Sequence, residues 1–334
     1  MSDSMAICVA EDRISDEDPI RLCLASASRV NPDTAIVAFL PNASKSLQRW
    51  LAGQPRVELR SKLVDGKFGW NIKPDALLTV MDGGYETAWW IDSDVICLRS
   101  LNSRYKQLDR RLFLAAEEAL SGSYEDHGAR ARGWGFYPSR NFGFPLNSGV
   151  LRASREHIAL LLKWREMLES PEYRSVQLLD WEQRPLHLAG DQDVLTALLC
   201  SEQYAHTDVH ILQRGSDIIQ YYGSSCYTVR ERLGNLLNGG PTFVHSQGFK
   251  PWRDTDARGK SVIARHFRQL LSDTSVYLLE AQRLRGATEL DLPWTRASTA
   301  PGRALRLMGF KSKVLTGLPL AVVGDAVRMV RRSR

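Results

Sequence analysis

The first hundred residues alternate short apolar runs with segments of helical periodicity, and this alternation restricts the fold more than any other feature of the chain. Ala6-Ile7-Cys8-Val9-Ala10 reads as a buried strand. Pro19 to Arg29 then sets Ile20, Leu22, Cys23, Leu24 and Ala27 at helix-compatible spacing, Asn31-Pro32-Asp33 makes a turn, and Ala35 to Leu40 is a second strand. Ala43 to Leu51 predicts another helix and Val57-Glu58-Leu59 a short strand. Pro74 to Met81 predicts a helix that opens on proline and stops at Asp82-Gly83-Gly84. A fourth strand, Ala88-Trp89-Trp90-Ile91, runs directly into Asp92-Ser93-Asp94. Repeated βαβ units of this kind predict an α/β fold with a mixed, mostly parallel sheet covered by helices on both faces. Ligands then sit beyond the carboxyl ends of the strands.

The rest of the chain is less regular. Gly122 to Pro145 reads as a loop rich in glycine and aromatics (Trp134, Phe136, Tyr137, Phe142, Phe144). Ser154 to Glu169 has the caps and periodicity of a helix, and a further helix begins near Asp191 and runs to Leu199. Thr242-Phe243-Val244 is a last core strand leading into His245.

Composition narrows the setting. With 334 residues and 43% hydrophobic content the chain can bury a sizeable core. Its start lacks the basic and apolar regions of a signal peptide. Five scattered cysteines, none in a Cys-x-x-Cys pair, argue against a disulfide framework and point to a reducing cytoplasm. The net charge of +6 is unevenly placed: from Thr295 onward nine Lys/Arg face a single acid, Asp325, so that segment carries +8 and the body −2. The basic character belongs to the tail, which argues against a nucleic-acid partner for the body. The composition shift toward Pro, Gly and Arg at 295 marks the expected end of a domain over 1–294, followed by a tail over 295–334.

Four segments carry chemistry. Asp92 and Asp94 lie on the same side of an extended backbone at the end of an apolar strand, where two close carboxylates suit a hard divalent cation. Asn147-Ser148-Gly149-Val150-Leu151 follows the glycine-rich loop, and Gly190-Asp191-Gln192-Asp193 opens a helix. Each of these two is also an ordinary turn or cap when read alone. His245-Ser246-Gln247-Gly248-Phe249-Lys250-Pro251-Trp252 is more specific: His245 leaves an apolar strand, Gly248 permits close backbone approach to a phosphate, and Lys250 offers it a cation.

Together and in this order, the four segments resemble the family 8 glycosyltransferases, the retaining galactosyltransferases and glycogenins. The resemblance covers about residues 5 to 255. Val9-Ala10-Glu11-Asp12 also looks like that family's nucleotide-contacting start. The resemblance implies a GT-A-type nucleotide-diphospho-sugar transferase fold. It further implies a metal, Mn2+ or Mg2+, held by Asp92, Asp94 and His245. Ala10 and Glu11 would meet the nucleotide, Asn147, Ser148, Asp191 and Gln192 the donor sugar, Lys73 the donor, and Gly248 and Lys250 the diphosphate. Asp191 and Gln192 are the implied catalytic pair. The donor implied is a nucleotide sugar with uracil as its base, and the acceptor a saccharide or glycolipid. This chain departs from the pattern twice: serine stands at 246 in place of an aromatic, and Lys250 follows His245 by five positions rather than six.

Two rival readings remain. A haloacid-dehalogenase-type phosphatase also runs an apolar strand into Asp-x-Asp, as in Asp92-Ser93-Asp94-Val95, but its aspartates follow the first strand, and the segment from His245 is left unexplained. A non-catalytic sugar-nucleotide-binding protein is the other. The loop Ser121 to Phe144 is expected to meet the acceptor, unless its aromatics only pack the loop down. The tail clusters Arg303, Arg306, Lys311 and Lys313, then Arg328, Arg331, Arg332 and Arg334, around a mostly apolar stretch from Val314 to Val327. That stretch is too short and too interrupted to span a bilayer, so the expectation is a cytoplasmic protein attached peripherally to an anionic membrane surface, with docking of the tail on its own domain as the alternative.

Overall fold

The computed structural model of the chain describes residues 4–13, 17–61, 69–118, 127–220, 227–248, 250–253, 261–309 and 312–332. In chain order the strands are β1 (Met5–Ala10), β2 (Ala35–Phe39), β3 (Val57–Arg60), β4 (Thr87–Ile91), β5 (Val95–Cys97), β6 (Phe113–Glu117), β7 (Leu146–Ser154), β8 (Val209–Leu212), β9 (Ile218–Gln220) and β10 (Phe243–His245). The first four fall where the apolar runs of the sequence placed them. The chain divides into two compact units: one of Met1–Asp12, Asp33–Asp92 and Lys106–Leu212, the other of Arg13–Pro32, Ser93–Tyr105 and Gln213–Arg334.

The first unit is built on a seven-stranded sheet in the order β3-β2-β1-β4-β7-β6-β8. Pairing is parallel from β3 through β4 and between β6 and β8, while β7 runs antiparallel to both of its neighbours. A sheet buried on both faces needs strands that are apolar throughout, which is why Trp89 and Trp90 are consecutive and both buried in β4. The helix Lys73–Asp82 packs on β1 and β4, and Pro74 lies in its first turn, where a missing N–H costs nothing. The pairing of β7 with β6 is interrupted: Ala115 faces Leu151, but Ala116 faces Asn147. Ser148 to Val150 therefore form a bulge, and bulges re-aim side chains at the rims of sheets.

The expected loop from Gly122 to Pro145 is partly helical. Residues 119–126 lie outside the described residues, and His127–Gly133 forms a short helix. Trp134, Phe136, Phe142 and Phe144 pack against the main core, leaving Tyr137 as the exposed aromatic at 79%. For those four, holding the segment down is the role the packing supports.

The second unit holds the three-stranded sheet β5-β10-β9, with β10 antiparallel to β5 and parallel to β9. The helix Glu17–Val30 packs against β5 and against the helix Val276–Thr288. The helix Val229–Asn238 opens with a reciprocal cap between Thr228 and Glu231 and closes on Gly239 at φ +80, a left-handed conformation suited to glycine.

Side-chain contacts cross residue 295 within the second unit. The wholly buried Asp273 accepts hydrogen bonds from the backbone and hydroxyl groups of Ser298 and Thr299, at the start of the helix Ala300–Met308. Arg306 is buried and donates to the backbone carbonyls of Asp273 and Thr295. Arg232 donates to the carbonyls of Lys313 and Val314. Asp325, in the helix Leu318–Arg332, accepts from the Val229 N–H at 3.0 Å. The basic residue Arg306 thus serves the unit's interior, a use that composition alone does not signal. Among the described residues no helix is long and apolar enough to cross a membrane.

Candidate functional site

β1 and β4 run parallel, so their carboxyl ends open on the same edge of the sheet, where Ala10, Glu11 and Asp92 all lie. Ala10 packs against the core, and Glu11 is buried with its N–H donating to the Phe39 carbonyl at 3.1 Å. Immediately beyond β4, the Asp92 N–H donates to the Gly149 carbonyl at 2.8 Å, which ties the strand end to the bulge of β7. Two residues back along the strand, Trp90 projects from the same face, and its Nε1 donates to Asp92 Oδ1 at 2.7 Å.

Lys73, at the head of its helix, lies at the centre of this edge. Its Nζ donates to Ser148 Oγ at 2.7 Å and to the Ser148 carbonyl at 3.2 Å, and forms ion pairs with Asp191 at 3.1 Å and Asp92 at 3.3 Å. Ser148 Oγ in turn donates to Asp191 Oδ2 at 2.6 Å. Burial works to lower the Lys73 pKa, but the carboxylates of Asp191 and Asp92 outweigh it and hold the amine above its ordinary range. Lys73 is therefore a fixed cation, not a proton carrier at neutral pH.

Next to this group lies one that the motifs did not include. Glu118, just past β6 and 6% exposed, accepts from Asn147 Nδ2 and from Gln192 Nε2, each at 2.9 Å. Asn147 Nδ2 also reaches Gln192 Oε1 at 3.2 Å. The available signal was the run Phe113-Leu114-Ala115-Ala116-Glu117-Glu118, an apolar strand ending in acids, the same pattern that singled out Asp92. Behind these groups Arg130 pairs with Asp193 at 2.8 Å, both buried. Burial, with Asp191 and Glu118 nearby, outweighs Arg130 and pushes the Asp193 carboxyl up to about 6.

Asp94 is buried and faces His245 and Lys250. His245 Nε2 lies 3.4 Å from Asp94 Oδ1, and Lys250 Nζ forms an ion pair with Asp94 Oδ2. The backbone supports this: the Ser246 N–H donates to the Asp94 carbonyl at 3.0 Å, continuing the ladder in which His245 pairs with Val95. Burial opposes ionisation of Asp94, yet Lys250 and His245 hold its carboxyl well below the usual carboxylate range. Lys250 also lies over the Trp252 ring, 5.5 Å from its centre. Gly248 adopts φ +68, the left-handed region that explains a glycine there.

Asp92 and Asp94 are two residues apart on one turn, and each offers a carboxylate oxygen. These oxygens and a ring nitrogen of His245 lie within 4.8 Å of one another. Two hard oxygen donors and an imidazole suit Mn2+ or Mg2+ better than a soft metal. The four described cysteines, Cys8, Cys23, Cys97 and Cys200, are buried. Burial pushes the Cys97 thiol up to about 12 and the Cys200 thiol to about 11, so neither is a thiolate ligand or nucleophile at neutral pH.

No protein-family model matches the chain, and no curated protein matches it in sequence. Among solved structures it is similar to the apo form of the bifunctional glycosyltransferase WbbM, with 12% identity and a TM-score of 0.48 over 75% of this chain and 47% of that one. The chain thus spans about half the length of WbbM. It is also similar to mouse xyloside xylosyltransferase 1 in its apo form, at 15% identity and a TM-score of 0.46 over 73% and 98% of the two chains. The galactosyltransferase LgtC, solved with donor and acceptor sugar analogs, is similar at 17% identity and a TM-score of 0.43, over 80% of this chain and 95% of that one.

Proposed function

We propose that this chain is a metal-dependent retaining glycosyltransferase, moving a sugar from a nucleotide diphosphate donor, UDP-linked, to a saccharide or glycolipid acceptor. The observation that carries this reading is the Asp92, Asp94 and His245 donor set, together with the ordered polar edge of Lys73, Ser148, Asp191, Asn147 and Gln192. Asp92, Asp94 and His245 would hold the cation, Mn2+ or Mg2+, which supplies charge neutralisation for a departing diphosphate.

The chain's own residues do the rest. Ala10 and Glu11, at the carboxyl end of β1, meet the nucleotide. Lys73 fixes Asp92, Asp191 and Ser148 relative to one another, so the sugar meets a preorganised set of acceptors and donors. Gln192, aligned by Glu118, presents its amide oxygen as positive charge grows at the anomeric carbon, while Gly248 and Lys250 face the diphosphate. The acceptor hydroxyl attacks from the face the phosphate leaves. The carbon–phosphate-oxygen bond breaks, the carbon–acceptor-oxygen bond forms, and the acceptor proton passes to the departing phosphate oxygen.

We propose further that the second unit attaches to an anionic membrane, with the helix Leu318–Arg332 as the contact. Support comes from Val322, Val323, Val327, Met329 and Val330 on that helix, which are 47% to 66% exposed, and from the basic residues beyond Thr295 other than the buried Arg306 and the ion-paired Arg328.

The test of the transferase reading is a screen of nucleotide sugars in Mn2+, scored by thermal stabilisation and by release of nucleoside diphosphate. One donor should stabilise the protein and be slowly hydrolysed. Turnover of simple phosphate monoesters in Mg2+, lost in Asp92→Asn, would replace this reading with the phosphatase.

A further inference from the structure

β9 ends on Gln220, whose side chain is wholly buried. Among the described residues, neither Oε1 nor Nε2 of its amide has a hydrogen-bond partner. A buried amide left in this way costs about 1–3 kcal/mol per unmet group, and native folds keep few of them. An unmet pair at one residue is therefore a stability cost in search of a compensating role.

The sheet register says where that role lies. β9 and β10 are parallel, and Gln220 pairs with His245. Paired residues on neighbouring strands project from the same face of the sheet, so the amide and the imidazole are side by side. His245 turns Nε2 toward Asp94, at 3.4 Å, so a cation shared with Asp94 would be held at Nε2, and the proton of the neutral ring would then be on Nδ1.

We propose that Gln220 is the positioning residue of His245. With a divalent cation held at Nε2, the Gln220 amide oxygen accepts the Nδ1 proton, fixing both the tautomer and the ring orientation. The inference rests on the cation site proposed above. It gives the buried amide oxygen a partner that the loaded site orders.

The test uses the full chain and Mn2+ alone, with free ion measured by electron paramagnetic resonance and stability by thermal unfolding without metal. Gln220→Leu should keep or raise the metal-free Tm, since it removes two unmet polar atoms, yet weaken Mn2+ binding about 10- to 100-fold. Gln220→Glu, which restores an acceptor, should recover the affinity. In the Mg2+-loaded wild type, nitrogen NMR should find the His245 proton on Nδ1. Should the leucine variant fail to fold, Gln220→Met provides the same comparison at closer length. If wild type binds Mn2+ and the leucine or methionine variant binds it equally well, the Gln220 inference fails alone. A metal-free Tm that falls in step with affinity would assign Gln220 a structural role instead. If wild type binds no Mn2+, the cation site itself is wrong and the inference falls with it.

Discussion

Glu118 Oε2 accepts a 2.9 Å hydrogen bond from Gln192 Nε2. A carboxylate can only accept, so the amide nitrogen must face it, and Gln192 Oε1 is turned toward Asn147 Nδ2. The end of Gln192 that can meet positive charge is thus set by a neighbour 74 positions away. Gln192→Ala is expected to lower kcat on the order of tenfold to a hundredfold with little change in donor affinity, because its oxygen acts mainly as charge develops. Glu118→Ala, which releases the amide, should lower kcat comparably, and the double variant should be no worse than the worse single one. Steady-state kinetics on the three variants decides the point: additive losses would mean that the two residues act separately.

The Asp94–Lys250 ion pair makes a different prediction for the cation site. Lys250 neutralises a carboxylate that a metal would also use. Lys250→Met should therefore bind Mn2+ alone about tenfold more tightly, or about 1.4 kcal/mol. The same variant should bind nucleoside diphosphate in Mn2+ more weakly, having lost a cation that faces phosphate. Asp94→Ala and His245→Ala should lose Mn2+-dependent donor binding while unfolding cooperatively. Calorimetric titration separates the cases, and a Lys250→Met variant that moves both affinities the same way would remove the competition from the account.

Asp193 sets a pH dependence. Its carboxyl is raised to about 6 in the folded chain against an ordinary 3.8, with burial as the main cause. A raised acid binds its proton more tightly when folded, so its contribution to stability is complete below about pH 3.8 and is lost as pH rises through 6. The span corresponds to something on the order of 3 kcal/mol. Urea unfolding at pH 4, 5, 6 and 7 should show the advantage of wild type over Asp193→Asn shrinking across that window. Parallel stability profiles for the two proteins would contradict it.

The motif residues were legible because their chemistry is local. Asp92 and Asp94 follow an apolar strand directly, and β4 forms where that run predicts it. The strand ending in Glu118 was legible but the partners of Glu118 were not, because they are Asn147 and Gln192, 29 and 74 residues distant. The bulge at Ser148 to Val150 arises only from the competing registers of β7 with β4 and β6. How the tail packs was not legible for a related reason. Asp325 looked like an interruption in an apolar stretch, yet it accepts from the Val229 N–H that opens the helix Val229–Asn238, a tertiary contact that periodicity does not encode.

That docking decides how the membrane proposal must be tested. Removing residues 295–334 would strip Asp273 of its partners at Ser298 and Thr299 and Arg232 of the Lys313 and Val314 carbonyls, leaving two buried charges with fewer partners. A truncated chain should unfold at lower temperature whatever the tail does at a membrane, so point variants are the sounder probe. On the helix Leu318–Arg332, Asp325 turns inward to the Val229 N–H, and Ala321 is buried. At the helical angle per residue, Met329, Val322, Ala326, Val330, Val323 and Val327 then occupy one outward arc of about 160°. The helix Val229–Asn238, which packs beside it, exposes Leu233, Leu236 and Leu237 as well. An apolar surface of this kind on a segment rich in Arg suits an anionic bilayer, where each basic residue near the leaflet contributes on the order of 1 kcal/mol. Val323→Glu with Val330→Glu should keep the wild-type Tm and lose co-sedimentation with anionic vesicles, while wild type pellets with them, is released by salt, and ignores neutral vesicles. Equal sedimentation of wild type and the double variant would remove this face from the contact, and a wild-type chain that dimerises in solution while ignoring vesicles would assign the face to a second copy.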